Sequence, residues 1–118
     1  SYPFGQVSPA AKAALGHDYQ TLRGVFPGVN AGTIDLNLLR GNPIYARRFD
    51  SRQVQALIAT TVRQRGWLIF YTHGVEAAPD DWGCTAEQLA ETAQRCLEAG
   101  LEPLSIAQAY EKHVRTGA

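Results

Sequence analysis

The six residues Trp67, Leu68, Ile69, Phe70, Tyr71 and Thr72 constrain this chain more than any others. They run between a glycine and His73 with no alternation of apolar and polar side chains. A half-solvated strand alternates, whereas a strand covered on both faces does not. The run therefore predicts a strand of a parallel sheet flanked by helices. It is also far shorter than the roughly 18 apolar residues of a membrane-spanning segment.

The flanking segments carry the punctuation of helices. Before the run, residues 49–66 read as one helix. Asp50 caps its start with Gln53 reaching back, and Phe49 staples onto Val54. Val54, Leu57, Ile58 and Thr61 or Val62 recur at helical spacing. Arg63 and Arg65 suit the negative end of the dipole, and Gly66 is the expected stop. After the run, Thr85 and Gln88 form a capping box for a helix with the core face Leu89, Ala93, Cys96 and Leu97, closed by Gly100. Ser105 and Gln108 start a last helix through Ile106, Ala109, Tyr110 and Val114. A short helix opens at Ser8 and Pro9 and stops at Gly16.

Further strands are expected near residues 1–5, 21–25, 33–39 and 101–105, the last at an edge or a strand end because of Pro103. The expected fold class is α/β, with mostly parallel strands alternating with helices, over residues 1–118 as a single domain or half-domain.

A length of 118 residues supports one core. The eleven basic and eleven acidic residues cancel, so no electrostatic footprint for nucleic acid or anionic lipid is present. Cys84 and Cys96, placed on one helix, would lie about 18 Å apart. A disulfide needs Cα atoms within about 7 Å, so both are expected as free thiols. No methionine occurs, and the chain opens inside an expected strand. A processed product or a piece of something larger is the expectation.

Ligands of parallel α/β sheets sit beyond the carboxyl ends of the strands. His73 occupies that position and can act as general acid or base near neutral pH. Trp82, in the long acidic loop that follows, offers a flat face to a sugar ring. The competing reading of His73 is a structural ring bonded to a loop carbonyl. His17 and His113 are incidental.

Three stretches together resemble the second half of a polysaccharide deacetylase of the NodB-homology type: SYPFG at residues 1–5, RGVFPGVNAGTIDLNLLR at 23–40, and residues 66–109 from GWLIFYTHGV onward. The resemblance covers nearly all of the chain and about half of that family's domain. It implies part of a distorted (β/α) barrel. It also implies metal-assisted hydrolysis of N-acetyl groups on a glycan, with a divalent ion, usually zinc, in the complete domain. The family's ion is held by an Asp and a His-x-x-x-His pair that have no counterpart here, so none is expected to be held by this chain alone.

By the resemblance, Pro3 to Gly5 match the family's Pro-Tyr/Phe-Gly segment. The backbone N–H of Phe4 would help stabilise the oxyanion. Tyr2, Pro3 and Phe4 would line the sugar groove. His73 would protonate the departing amine, with Asp35 orienting it. Tyr71 stands where the family has the leucine of the acetyl pocket, and Trp82 would form a groove wall. The family's arginine falls on Ser1, and Leu38 and Leu39 only partly match an acidic segment.

The implied partners are a glycan substrate and either the missing amino-terminal half or a second copy of the chain, with no nucleic acid and no membrane span. On this reading the chain is inactive alone. The alternative is a non-catalytic carbohydrate-binding or assembly module. An unrelated small α/β enzyme using His73 with Asp35 or Glu76 ranks last, because no serine or cysteine sits in a nucleophile turn.

Overall fold

The computed structural model describes residues 1–2 and 5–115. Its helices follow the capping signals. Helix α1, Pro9–Gly16, starts where the Ser8 side chain accepts from the Ala11 amide, and includes Gly16 as its last residue. Helix α2, Ser51–Gln64, is capped by Asp50, whose carboxylate accepts from the Arg52 amide at 2.9 Å. Helix α3, Ala86–Glu98, carries the full reciprocal box between Thr85 and Gln88. So does the single turn α4, Ile106–Ala109, between Ser105 and Gln108; it continues as a wider-wound turn over Tyr110–Arg115.

The end of α2 differs from expectation. Arg65, not Gly66, takes the left-handed conformation, with φ 52°. The Gly66 amide reaches back to the Thr61 carbonyl at 2.9 Å and closes the helix. Gly66 is needed for a different reason: a Cβ there would stand 3.0 Å from the Asn30 carbonyl oxygen and run into Val29. Helix α3 ends as expected, with Gly100 left-handed at φ 82° and the Leu101 amide bonded to the Cys96 carbonyl at 3.0 Å.

The sheet is where the expectation fails. Its only strands among the described residues are β1, Asn42–Pro43, and β2, Phe70–Tyr71, paired in parallel with Asn42 opposite Phe70. Single bridges join Arg23 to Leu39, Asn30 to Trp67 and Val75 to Cys84. This is too little sheet for a (β/α) barrel or for the expected series of alternating strands.

The reasons are local. The 33–39 segment is broken by a turn in which the Asn37 amide bonds the Asp35 carboxylate at 3.0 Å and the Leu38 amide bonds the Asp35 carbonyl at 3.0 Å. Pro43 removes a ladder donor. Residues 101–105 form no strand. The body measures 38 × 31 × 20 Å. Its thin dimension fits one helix layer of about 10–12 Å on one layer of extended backbone.

Side-chain amides replace part of the missing ladder. Asn30 and Asn42 are both buried. Asn30 donates to the Arg40 and Trp67 carbonyls at 3.1 Å each and accepts from the Arg40 amide at 2.8 Å. Asn42 accepts from the Gly28 amide at 2.9 Å and donates to the Gly28 and Ile69 carbonyls at 2.8 and 3.1 Å. Together they stitch the 28–30, 40–42 and 67–69 segments side by side.

The core is built on this layer from Leu22, Leu39, Ile44 and Ile69, with Val54 and Ile58 of α2 and Cys84. Thr61, not Val62, is the buried residue of the last turn of α2. The expected core face of α3 is corrected. Leu97 is 54 % exposed and Leu89 39 %, while Thr92 is buried. Helix α3 meets α2 through polar pairs instead, Ser51 to Glu91 at 3.0 Å and Arg95 to Gln55 at 3.1 Å. Cys84 lies before α3 rather than on it, and both cysteines are free. No helix among the described residues is long and apolar enough to cross a membrane.

Candidate functional site

The chain leaves β2 through Thr72, whose hydroxyl donates to the Ile44 carbonyl at 2.8 Å. This ties the exit of β2 to the exit of β1. The loop that follows is held by its own short ladder. The His73 amide donates to the Trp82 carbonyl at 3.1 Å, the Cys84 amide to the Gly74 carbonyl at 2.9 Å, and the Glu76 amide to the Cys84 carbonyl at 3.1 Å. The Asp80 carboxylate accepts from the Trp82 amide at 3.0 Å. An ion pair of 2.9 Å joins Arg47, just past β1, to Asp81. The loop is therefore pinned at both ends, with His73 and Trp82 facing each other across it.

Their side chains stay outside. His73 is exposed and Trp82 is 54 % exposed. Tyr45 stands between them, its ring centroid 5.5 Å from Trp82, 6.3 Å from His73 and 6.1 Å from Tyr71. The contacts to Trp82 and Tyr71 are edge-to-face, the arrangement aromatic quadrupoles favour. Over the Tyr71 ring lies Arg23, its guanidinium carbon 4.2 Å from the ring centroid. Tyr71 is pushed up to about 12, first by burial and then by the neighbouring Tyr45 hydroxyl, so it stays a neutral donor across the physiological range. Trp82, Tyr45, Tyr71 and Arg23 thus follow one another in contact as a row at the carboxyl ends of β1 and β2, with the His73 ring beside Tyr45.

The expected site residues divide on this geometry. His73, Tyr71 and Trp82 come together in the row. Asp35 does not join them. Its carboxylate binds Lys12 at 2.5 Å and the Asn37 amide at 3.0 Å, and no hydrogen bond or ion pair joins it to His73 among the described residues. The Lys12 hydrogen bond holds the Asp35 carboxyl below its usual range.

Tyr2 is buried, 3 % exposed, with its hydroxyl donating to the Asn37 carbonyl at 2.6 Å. That leaves it little face for a sugar. Pro3 and Phe4 lie outside the described residues. Two hollows lie away from His73, one of about 470 Å³ along α2 and Arg95 and one of about 240 Å³ between Phe26, Asn30, Asp35 and Arg40.

Sequence reasoning missed Tyr45 and Arg23. Tyr45 follows β1, which pairs in parallel with β2, so both strands deliver their next residues to the same rim. Reading residues 42–43 as a strand would have found it. Arg23 had no local signal; it arrives through its bridge to Leu39.

The metal implied by the resemblance finds no donor set here. Among the described residues no three His, Cys, Asp or Glu side chains are grouped so as to hold an ion, and no catalytic step is derived through one. No family model, curated protein or solved structure matches this chain.

Proposed function

We propose that this chain is the carboxyl-terminal portion of a polysaccharide deacetylase-like hydrolase, supplying a sugar-binding wall and a proton-donating imidazole to the removal of N-acetyl groups from a glycan. The observation that carries this is the placement of His73, solvent-accessible and beside Trp82 and Tyr45 at one rim. Sugar rings stack their C–H faces on such aromatic platforms. An amide nitrogen leaving a tetrahedral intermediate must gain a proton, and a neighbouring imidazolium can give it.

The divalent metal and the general base would be supplied from outside this chain, so the chain alone binds glycan without appreciable turnover. The departures from the family's pattern at Ser1, Tyr71, Leu38 and Leu39 favour a second reading, a carbohydrate-binding or assembly module without catalysis.

Titration of the chain with the tetramer of N-acetylglucosamine, followed by tryptophan fluorescence, tests the shared part of both readings. Millimolar or tighter binding that Trp82→Ala abolishes and Trp67→Phe retains is expected. No binding at millimolar sugar would overturn both. Acetate release, measured with and without zinc, bears on the division of labour. Vigorous turnover by this chain alone would show that the assignment of metal and base elsewhere is wrong.

A further inference from the structure

Arg23 is a half-buried cation with spare donors. Its Nη1 donates to the Gly24 carbonyl at 3.0 Å, and among the described residues no carboxylate pairs with it. Nε and Nη2 donate to no protein acceptor there. The other cation near the row, Arg47, is already paired with Asp81. The row therefore has polarity. Its Trp82 end is flanked by Asp80 and Asp81, while its Tyr71 end carries an unpaired guanidinium stacked on the ring.

Space for that stack is built into the chain. A Cβ on the buried Gly41 would stand 3.0 Å from Arg23 Cδ and 3.1 Å from Tyr71 Cδ1. A guanidinium held flat, with one edge free, presents the planar fork that matches a carboxylate.

We infer that this aromatic rim takes an acidic glycan, with the carboxylate of a uronic acid bound by Arg23 while an N-acetylated sugar lies against Trp82 and His73. Arg23 lies on Tyr71 whereas His73 lies beside Tyr45, so the acid is assigned to a sugar unit next to the one carrying the acetyl group. This rests on the sugar-binding reading above and adds to it the charge and the direction of the substrate.

Two tetrasaccharides separate the alternatives: one of hyaluronan, alternating N-acetylglucosamine with glucuronate, and the neutral tetramer of N-acetylglucosamine. The chain should bind the acidic one about tenfold more tightly at low salt, as expected for a hydrogen-bonded charge. Arg23→Gln should erase that preference, so that the two sugars bind alike. Gly41→Ala should weaken the preference by crowding the arginine off the ring.

Equal binding of the two sugars by the unaltered chain, or a preference that survives Arg23→Gln, overturns this inference and leaves the sugar-binding reading standing. Binding of neither overturns both. The unaltered chain decides the matter even where a variant fails to fold.

Discussion

Replacing Asn42 by alanine removes three hydrogen bonds at one stroke. The Gly28 amide and carbonyl lose their partners at 2.9 and 2.8 Å. The Ile69 carbonyl loses a second bond at 3.1 Å but keeps the Asn42 amide at 2.9 Å. A net value of about 1 kcal/mol per bond, with more for groups left unpaired away from water, gives a loss of about 3 kcal/mol. That is a large share of the roughly 5–15 kcal/mol that holds a domain together. It should lower the thermal midpoint by about 10 °C or more.

Urea unfolding followed by tryptophan fluorescence measures it, with an unchanged slope showing that the native state alone was weakened. Asn42→Asp sharpens the test. It keeps an acceptor for the Gly28 amide but turns a buried carboxylate toward two carbonyls, and should cost more than alanine. A loss below about 1 kcal/mol for the alanine variant would refute the claim that this side chain substitutes for a sheet ladder.

Three further outcomes follow from the ionisable groups. Tyr71, held near 12 in the folded chain against an ordinary 10.0, should be the last tyrosine to ionise in an alkaline absorbance titration. Since its folded value lies above its unfolded one, its contribution to stability is whole below pH 10 and is lost as pH rises toward 12; Tyr71→Phe should flatten that loss. Asp35 behaves in the opposite sense: its folded value lies below 3.8, so its contribution is present above that pH and fades as pH falls through the folded value. Both partners of the Lys12–Asp35 pair are well exposed, so Lys12→Met should cost well under about 1 kcal/mol while visibly raising the Asp35 carboxyl titration by NMR. A thiol reagent at pH 8 should find Cys84 silent and Cys96 slow, because the first is fully buried and burial raises the thiol pKa of the second; unfolding should release both.

The helices were legible because their signals are local. A Thr or Ser three residues before a Gln at the start of a helical pattern can fix two amides, and the pairs Thr85–Gln88 and Ser105–Gln108 both form the reciprocal box. The faces of those helices were less legible. Leu89, Ala93 and Leu97 make a convincing apolar stripe, yet α3 meets α2 through Glu91 and Arg95, a choice made by tertiary partners that periodicity does not contain. The sheet was least legible. Apolar runs at 33–39 and 67–72 satisfy the rule for strands, but Asp35 can bond its own neighbours' backbone, and that local bond competes with pairing. Asn30 and Asn42, which read as turn residues, are the ones that hold the extended segments together.

The same distinction explains which parts of the candidate site could be read in advance. His73 was found from position alone, since the end of an apolar run is a property of the sequence. Trp82 was found because an aromatic residue in an acidic loop stands out. Their neighbour Tyr45 depends on β1 lying parallel to β2, and Arg23 depends on a bridge to Leu39. Neither fact exists until the chain has folded. A site at the rim of parallel strands is therefore half visible in any one segment, and the invisible half is what sets its charge. In this chain that half includes Arg23 on Tyr71, where a cation that no carboxylate pairs with among the described residues meets a flat ring. A substitution at Gly41 would reach Arg23 and Tyr71 only through the register between segments, because a Cβ there would stand 3.0 Å from Arg23 Cδ and 3.1 Å from Tyr71 Cδ1.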